Sequence, residues 1–205
     1  VRSHFGSRRT FPCRCWRESS CTGQLSAKML DGCQDTSLQG AWWRRVREAQ
    51  AVAEQRVEPL SEGQTVSLLE TYGYAVENGS RWKSSPSAFV QLEVLEHEEC
   101  EAQHTWYVVK CNVVDKLTGN QWNWQSQHRL VSLRRDLHDA VKSILGPAVY
   151  TEHFGETPFA RYGGISGTSK RLNAWLCALS QLIMSDRASP ALVAATLNFF
   201  QSGKK

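Results

Sequence analysis

The sequence predicts an α+β fold in which a three-stranded antiparallel sheet packs against a small helical bundle. Between residues 88 and 125, segments rich in β-branched and aromatic residues follow one another with short polar separators, which is typical of an antiparallel sheet. From residue 130 onward, apolar residues recur every three or four positions, which is typical of amphipathic helices. The change of period therefore marks the junction between the sheet and the helices.

The chain upstream of residue 88 is predicted to be an extension of the folded domain. Residues 1–37 carry five arginines near their start and show no apolar period, so we expect a basic, cysteine-containing, disordered tail. Residues 38–57 show a weak helical stripe, and residues 61–87 combine short apolar runs with turn signals. The predicted organisation is a tail at 1–37, a helical or linker extension at 38–87 and a folded domain at 88–201.

Three strands open the predicted domain. Residues 89–95 alternate in part between apolar and polar, and residues 106–114 form the stronger strand because valine and aromatic residues dominate them. Residues 116–120 contain the glycine and polar residues that are typical of a hairpin turn. In the third strand Trp122 and Trp124 share one parity, so we expect both on one face of the sheet.

Helices are predicted for the rest of the domain. The first begins at Leu130 and ends before Pro147, because proline interrupts a helix. Residues 148–167 lack a clear period and are expected to form a long loop. Ser189 and Pro190 open the last helix as its cap and first residue. Between that loop and the last helix, the strongest amphipathic helix has the apolar stripe Leu172, Trp175, Leu176, Leu179, Leu182 and Ile183.

No grouping of side chains has catalytic spacing, so we expect a protein that is not an enzyme and needs no cofactor. The sequence contains no glycine-rich phosphate loop with a following lysine, no zinc-protease motif and no nucleophile elbow. Seven cysteines, an odd number, indicate free thiols. The four from Cys13 to Cys33 lack the paired knuckle of a zinc site, so no metal is expected. Cys111 and Cys177 lie in apolar segments and are expected in the core.

Cations at three separate places are the strongest functional signal in the sequence. Arg129 ends the third strand, Arg161 lies in the long loop, and Lys170 and Arg171 open the amphipathic helix. A helix N-terminus adds free N–H groups and the positive end of a dipole, which favour a phosphate. If the fold brings these positions together, they form an anion site.

The order of elements and several motifs resemble the PX (phox-homology) family over roughly residues 87–201. Residues 129–133 (Arg-Leu-Val-Ser-Leu) occupy the place of the family's Arg-aromatic-Ser-acid-Phe run, and residues 137–138 match its Leu-His pair. Pro158 and Arg161 resemble the family's proline pair and lysine. The resemblance therefore implies the PX arrangement of a three-stranded sheet and a helical bundle.

Two later motifs agree with this resemblance and two positions depart from it. Residues 172–176 match the family's Leu-x-x-aromatic-Leu helix, and residues 198–200 are similar to its closing aromatic helix. Leu130 stands where the family has the aromatic residue under the inositol ring, and Thr168 stands where it has a helix arginine. Both departures concern the ligand site and not the fold.

The resemblance implies a module that binds a phosphoinositide, with phosphatidylinositol 3-phosphate as the family default. It implies that Arg129 pairs with the ring phosphate, because the planar fork of arginine suits phosphate oxygens. Arg161 would take the phosphodiester group. Lys170 or Arg171 would reach ring hydroxyls or the phosphates of neighbouring lipids.

The same resemblance implies attachment to a membrane surface in vesicle trafficking. Phe159 and Tyr162, both in the long loop, would enter the membrane interface. No run in the chain approaches the roughly 20 apolar residues that cross a bilayer. The expected location is therefore cytoplasmic, peripherally associated with endosomal or other intracellular membranes.

Three alternatives stay open on sequence grounds. The first is a degenerate PX-like domain that binds a protein and no longer uses its pocket, which the departures at Leu130 and Thr168 favour. The second is binding of nucleic acid by residues 1–17 and 38–47, where basic residues cluster, although no specific nucleic-acid motif is present. The third is an enzyme, which would need a cluster of polar groups that the sequence does not show.

Overall fold

A computed structural model describes residues 56–99, 105–185 and 187–203, and it confirms the α+β class and the three-stranded antiparallel sheet. The predicted tail at 1–37 and nearly all of the predicted helix at 38–57 lie outside these residues. No helix within them has the length and apolar character needed to cross a membrane. In chain order the elements are α1 (Glu62–Thr71), β1 (Val76–Asn78), β2 (Arg81–Trp82), β3 (Ala88–Glu99), β4 (Thr105–Asp115), β5 (Gln121–Arg129), α2 (Leu130–Ser132), a π-helical turn (Leu133–His138), α3 (Asp139–Phe154), α4 (Thr168–Met184) and α5 (Pro190–Ser202).

The main sheet has the order β3-β4-β5, with the apolar strand β4 in the centre. Trp124 of β5 lies opposite Cys111 of β4, and both are buried, as the alternation of residues predicts. The turn between β4 and β5 is held by the Asp115 carboxylate, which accepts hydrogen bonds from the Leu117 N–H and the Thr118 hydroxyl. These hydrogen bonds lower the pKa of Asp115.

Helix α4 covers the outer edge of the sheet along β3. The Leu92 N–H donates to Ser180 Oγ at 3.1 Å, and the Val94 N–H donates to Asn173 Oδ1 at 2.9 Å. Ser180 and Asn173 are two helical turns apart, so the helix runs beside the strand and satisfies its outward backbone groups. All six residues of the predicted α4 stripe are buried. Helix α4 therefore both fills the core and closes an exposed strand edge.

The packed core begins upstream of the boundary that was predicted near residue 87. A capping box starts α1, where Ser61 accepts from the Gln64 N–H and the Gln64 side chain accepts from the Ser61 N–H. Tyr72, just after α1, is buried and stacks on Trp124 of β5 at 5.8 Å between ring centroids. Residues of α1 and β1 therefore pack in the same hydrophobic core as residues 88–201.

The helical region after β5 differs from its prediction at the C-terminal end. Leu133, Leu137 and Val141 recur at helical spacing and are buried, but Ile144, at the next position of the same spacing, is 39% exposed. The helix is interrupted at Gly146, which has a φ of 73°, and Pro147 then begins a further helical stretch that ends at Phe154. Proline is favourable in the first turn of a helix, so it starts this stretch instead of beginning a loop. The prediction of a loop over 148–167 is wrong for its first seven positions.

The predicted start of the last helix is confirmed, and the predicted burial of two cysteines is right for one of them. Ser189 caps α5 by accepting from the Leu192 N–H, and Pro190 is the first helical residue, as predicted. Cys111 is fully buried, and burial raises the pKa of its thiol to about 12. Cys177 is exposed, so its predicted place in the core is wrong. It lies within α4, on the side that faces away from the buried stripe.

Candidate functional site

A cavity of about 380 Å³ lies where β5 passes into the helices, beside the loop that follows α3. Arginine side chains reach it from the end of β5, from the π-helical turn and from the loop. None of the described residues that line it is acidic. The lining consists of Thr105, Arg129, Leu130, Val131, Arg134, Arg161, Tyr162 and Gly163.

Arg129 occupies the last paired position between β5 and β4. It lies opposite Trp106 in the pairing of β5 with β4, and its backbone is extended, with φ −78° and ψ 152°. Helix α2 begins at the next residue, so the chain changes direction directly after it. Pairing with the central strand β4 therefore fixes the backbone of Arg129 at the cavity.

Arg134 is the cavity residue that sequence reasoning missed. Its Nη2 atom donates to the Ala160 carbonyl and, at 2.7 Å, to the Arg161 carbonyl. Its guanidinium group also lies 5.7 Å from the centre of the Phe159 ring. The spacing of apolar residues puts Arg134 on the polar side of a regular helix, but the segment is π-helical. Such turns are rare in proteins, and those that occur often lie at functional sites.

The neighbouring residue Arg135 has a different environment. Its guanidinium binds Asp136 through two hydrogen bonds of 2.7 Å, and the Asp136 side chain is only 1% exposed. This carboxylate raises the pKa of Arg135. Of the two consecutive arginines, Arg134 lines the cavity and Arg135 compensates a buried acid.

The loop after α3 carries the third arginine and an exposed aromatic residue to the cavity. Arg161 is exposed, and Tyr162 is 68% exposed. The Gly164 N–H donates to the Tyr107 hydroxyl at 3.2 Å, which joins the loop to β4. Gly164 has a φ of 69°, and a Cβ atom there would lie 2.9 Å from the Thr105 hydroxyl oxygen, so both backbone and space require glycine.

The structure separates the other predicted site residues from the cavity. Lys170 and Arg171 are exposed on α4, and neither lines the cavity. Ser169, beside them, has its hydroxyl 3.3 Å from His97 of β3, so the first turn of α4 lies against the sheet edge. Phe159 was predicted to face a membrane, but it packs edge-on against Trp175 at 5.1 Å and is partly buried.

A second cavity of about 500 Å³ lies on the inner side of the same loop. Arg134, Arg161 and Tyr162 line both cavities, so they form the wall between them. The second cavity is mainly aromatic, with Tyr150 accepting a hydrogen bond from the Trp175 indole N–H at 3.1 Å. Burial raises the pKa of Tyr150. Its other lining residues are His138, Phe154, Pro158 and Phe159.

No protein-family model, curated protein or solved structure matches the chain. Within the described residues, no group of three or more His, Cys, Asp or Glu side chains is placed to hold a metal ion. Cys13 to Cys33 lie outside the described residues. The candidate site is therefore defined by its arginines and its shape.

Proposed function

We propose that residues 88–201 form a PX-like domain that binds a phosphoinositide headgroup of the phosphatidylinositol 3-phosphate type, as a peripheral membrane-targeting module. The observation that carries the proposal is the cavity that Arg129, Arg134 and Arg161 line from three different segments. Guanidinium groups are the side chains best suited to phosphate oxygens, because their planar forks donate parallel hydrogen bonds. A ring phosphate and a phosphodiester together supply acceptors for Arg129 and Arg161, while the Arg134 guanidinium donates to the loop carbonyls.

Charge favours an anion in this cavity. Like charges repel more strongly where the surroundings exclude water, so cations gathered at a partly enclosed site favour a bound anion. None of the described residues that line the cavity is acidic, and Arg135, which does not line it, binds Asp136. In this arrangement Arg129 pairs with the ring phosphate and Arg161 with the phosphodiester.

Apolar side chains at the rim support a membrane as the source of the anion. Val131 and Tyr162 line the cavity and are 53% and 68% exposed, and Ile165, three residues after Tyr162, is 56% exposed. A tyrosine ring with an exposed hydroxyl is well suited to the interface between headgroups and acyl chains. The membrane contact proposed here uses Tyr162, Val131 and Ile165 in place of Phe159.

Vesicle co-sedimentation tests the proposal. Wild-type protein is expected to bind phosphatidylcholine vesicles that contain phosphatidylinositol 3-phosphate, and Arg129→Ala is expected to abolish that binding with little change in melting temperature. Arg171→Ala is the matched control, because it removes the same charge from the exposed face of α4 outside the cavity. A parallel titration with soluble inositol 1,3-bisphosphate separates headgroup binding from membrane binding.

Two results would contradict the lipid proposal. One is wild-type protein that ignores these vesicles at low ionic strength, where charge attraction is strongest. The other is an Arg129→Ala variant that binds like wild type but melts several degrees lower, which would make Arg129 a structural residue.

A second candidate function is a PX-like domain that binds a protein without lipid. The position of Lys170 and Arg171 favours it, because the cavity lacks the cations predicted from the start of α4. Leu130 favours it too, since an aliphatic side chain lines the cavity where the resembled family has an aromatic ring. The soluble headgroup titration decides between the two, because a protein-binding domain without a ligand pocket gives no saturable signal.

A further inference from the structure

Three consecutive carbonyl groups in the loop after α3 each accept a hydrogen bond from a side chain outside the loop. Arg134 donates to the carbonyls of Ala160 and Arg161. The Thr168 hydroxyl, at the start of α4, donates to the carbonyl of Tyr162 at 2.8 Å. The loop is thus held from both sides, by the π-helical turn and by α4.

Burial favours two of these contacts, while the hydrogen bond to the Arg161 carbonyl lies at an exposed position. Ala160 is 1% exposed and Thr168 is 4% exposed, so two of the partners lie in the protein interior. The bonds from Arg134 carry a charge on the donor, and charge-assisted hydrogen bonds are roughly twice as strong as neutral ones. A buried carbonyl that loses its donor is left unsatisfied, which is unfavourable. The loop therefore has one favoured path past Arg134.

Two of the three held carbonyls belong to Arg161 and Tyr162, whose side chains form the cavity wall. Arg161 and Tyr162 line the cavity, and both are exposed, so their own side chains contribute little to fixing the backbone. A side chain on a mobile backbone loses entropy when it orders on a ligand, and a backbone already held in place reduces that loss.

We propose that Arg134 and Thr168 are positioning residues, which hold the backbone of residues 160–162 so that Arg161 and Tyr162 face the ligand before it binds. This inference rests on the proposed function for its ligand, a phosphoinositide headgroup. It assigns Arg134 a role that differs from that of Arg129 and Arg161, because Arg134 acts on the ligand through the loop.

A lipid-free experiment tests the loop itself. Trypsin cleaves after Arg161 only when the loop opens, so the rate of cutting between Arg161 and Tyr162 reports how firmly it is held. Arg134→Met and Thr168→Val each remove donors while keeping most of the side-chain volume. We expect both variants to increase this rate at least several-fold, with Arg134→Met larger because it releases two carbonyls.

Two references make the digest specific. Cutting after Lys110, in the central strand β4, requires unfolding of the sheet, so the ratio of the two rates removes any general loss of stability. Arg171→Met removes an exposed arginine of α4 and is expected to leave the ratio unchanged. An unchanged ratio in both Arg134→Met and Thr168→Val would overturn the proposal, whatever the protein does with lipid.

A double-mutant cycle then tests whether Arg134 acts through Arg161. We expect Arg134→Met to weaken binding to vesicles with phosphatidylinositol 3-phosphate about tenfold, and Arg161→Met to weaken it at least as much. In the Arg161→Met background, Arg134→Met should have little further effect, because the side chain that it positions is gone. Independent losses would overturn the positioning role and make Arg134 a direct ligand. Absence of wild-type binding would overturn the proposed function. The tryptic digest would still show whether Arg134 and Thr168 hold the backbone of residues 160–162.

Discussion

The loop after α3 has two sides that serve different purposes. On its inner side Phe159 packs against Trp175 and His138, at 5.1 and 4.6 Å between ring centroids. On its outer side Arg161 and Tyr162 are exposed and line the cationic cavity. Core packing and the lining of the cavity thus come from neighbouring residues of one segment, so substitutions on the two sides should have separable effects.

The same contrast occurs between two adjacent residues of β5. His128 is buried, stacks on Phe199 at 4.2 Å, and lies 3.1 Å from the Ser126 hydroxyl. Burial lowers the pKa of His128 to about 4, against a smaller opposing effect of the Asp136 carboxylate. Arg129, the next residue, lines the cavity. Burial therefore keeps His128 neutral near pH 7, whereas Arg129 lies at a cavity that three arginines line.

The largest expected effect is on the inner side. Trp175 is fully buried, and its ring lies 5.2 Å from Phe154 and 5.1 Å from Phe159. Trp175→Ala should lower the free energy of unfolding by roughly 3–5 kcal/mol, the usual range for a buried aromatic residue. Urea denaturation measures this change. Met184→Ala, at a 53% exposed position of the same helix, is the control, with an expected change within about 0.5 kcal/mol. A loss below about 1 kcal/mol for Trp175→Ala would contradict the packing described here.

The next effect is a dependence of stability on pH that comes from His128. Its pKa is lowered in the folded protein, so the unfolded chain binds the proton more readily. The contribution is complete above the unfolded pKa of about 6.5 and is lost as pH falls toward about 4, for a total of about 3 kcal/mol. Urea denaturation at pH 7.5 and pH 4.5 measures it.

A variant at the same position isolates this contribution of His128. His128→Gln should be less stable than wild type at pH 7.5 and should lose less stability between the two pH values, because its side chain takes up no proton. An equal loss in both proteins would assign the dependence to other groups, such as Glu152, whose pKa is lowered by its ion pair with Arg187.

The smallest expected effects come from one substitution on each side of the loop after α3, and they compare the two sides directly. Phe159→Ala is expected to cost about 1–2 kcal/mol of stability, less than a fully buried aromatic residue because the ring is partly exposed. Tyr162→Ala is expected to change stability by less than about 0.5 kcal/mol and to weaken vesicle binding roughly fivefold. Thermal unfolding and co-sedimentation on the same samples measure both. A Tyr162→Ala variant that is the less stable of the two would reverse the assignment of sides.

Local sequence patterns account for most of the fold that the structure shows. The alternation around Trp122 and Trp124, the capping pair Ser189-Pro190 and the buried stripe of α4 are all confirmed. Each of these features depends on contacts within a few residues or on one buried face. Such features are visible in the sequence as a regular spacing of apolar or capping residues. The membership of residues 61–82 in the core was not predicted, because contact between Tyr72 and Trp124 joins segments that are distant in sequence.

The candidate site was predictable only in part. Arg129 and Arg161 were expected to share a site, and they line one cavity. Lys170 and Arg171 were expected to join them, but the first turn of α4 lies against β3. Thr168, at the position where the resembled family carries an arginine, holds the loop through Tyr162. No linear signal distinguishes a cation that faces a cavity from one that faces water.

The order of apolar and polar residues was enough to predict the fold class, the three strands of the main sheet, the buried stripe of α4 and the end of β5 at Arg129, because each follows from local periodicity, propensity or capping. The folded domain was needed to show that Arg134 lines the cavity while Arg135 binds Asp136, and that Phe159 packs in the interior while Tyr162 is exposed. The reason is geometric. A π-helical turn and a loop held by distant donors set the direction of each side chain, and those directions depend on contacts that close only when the whole domain has folded.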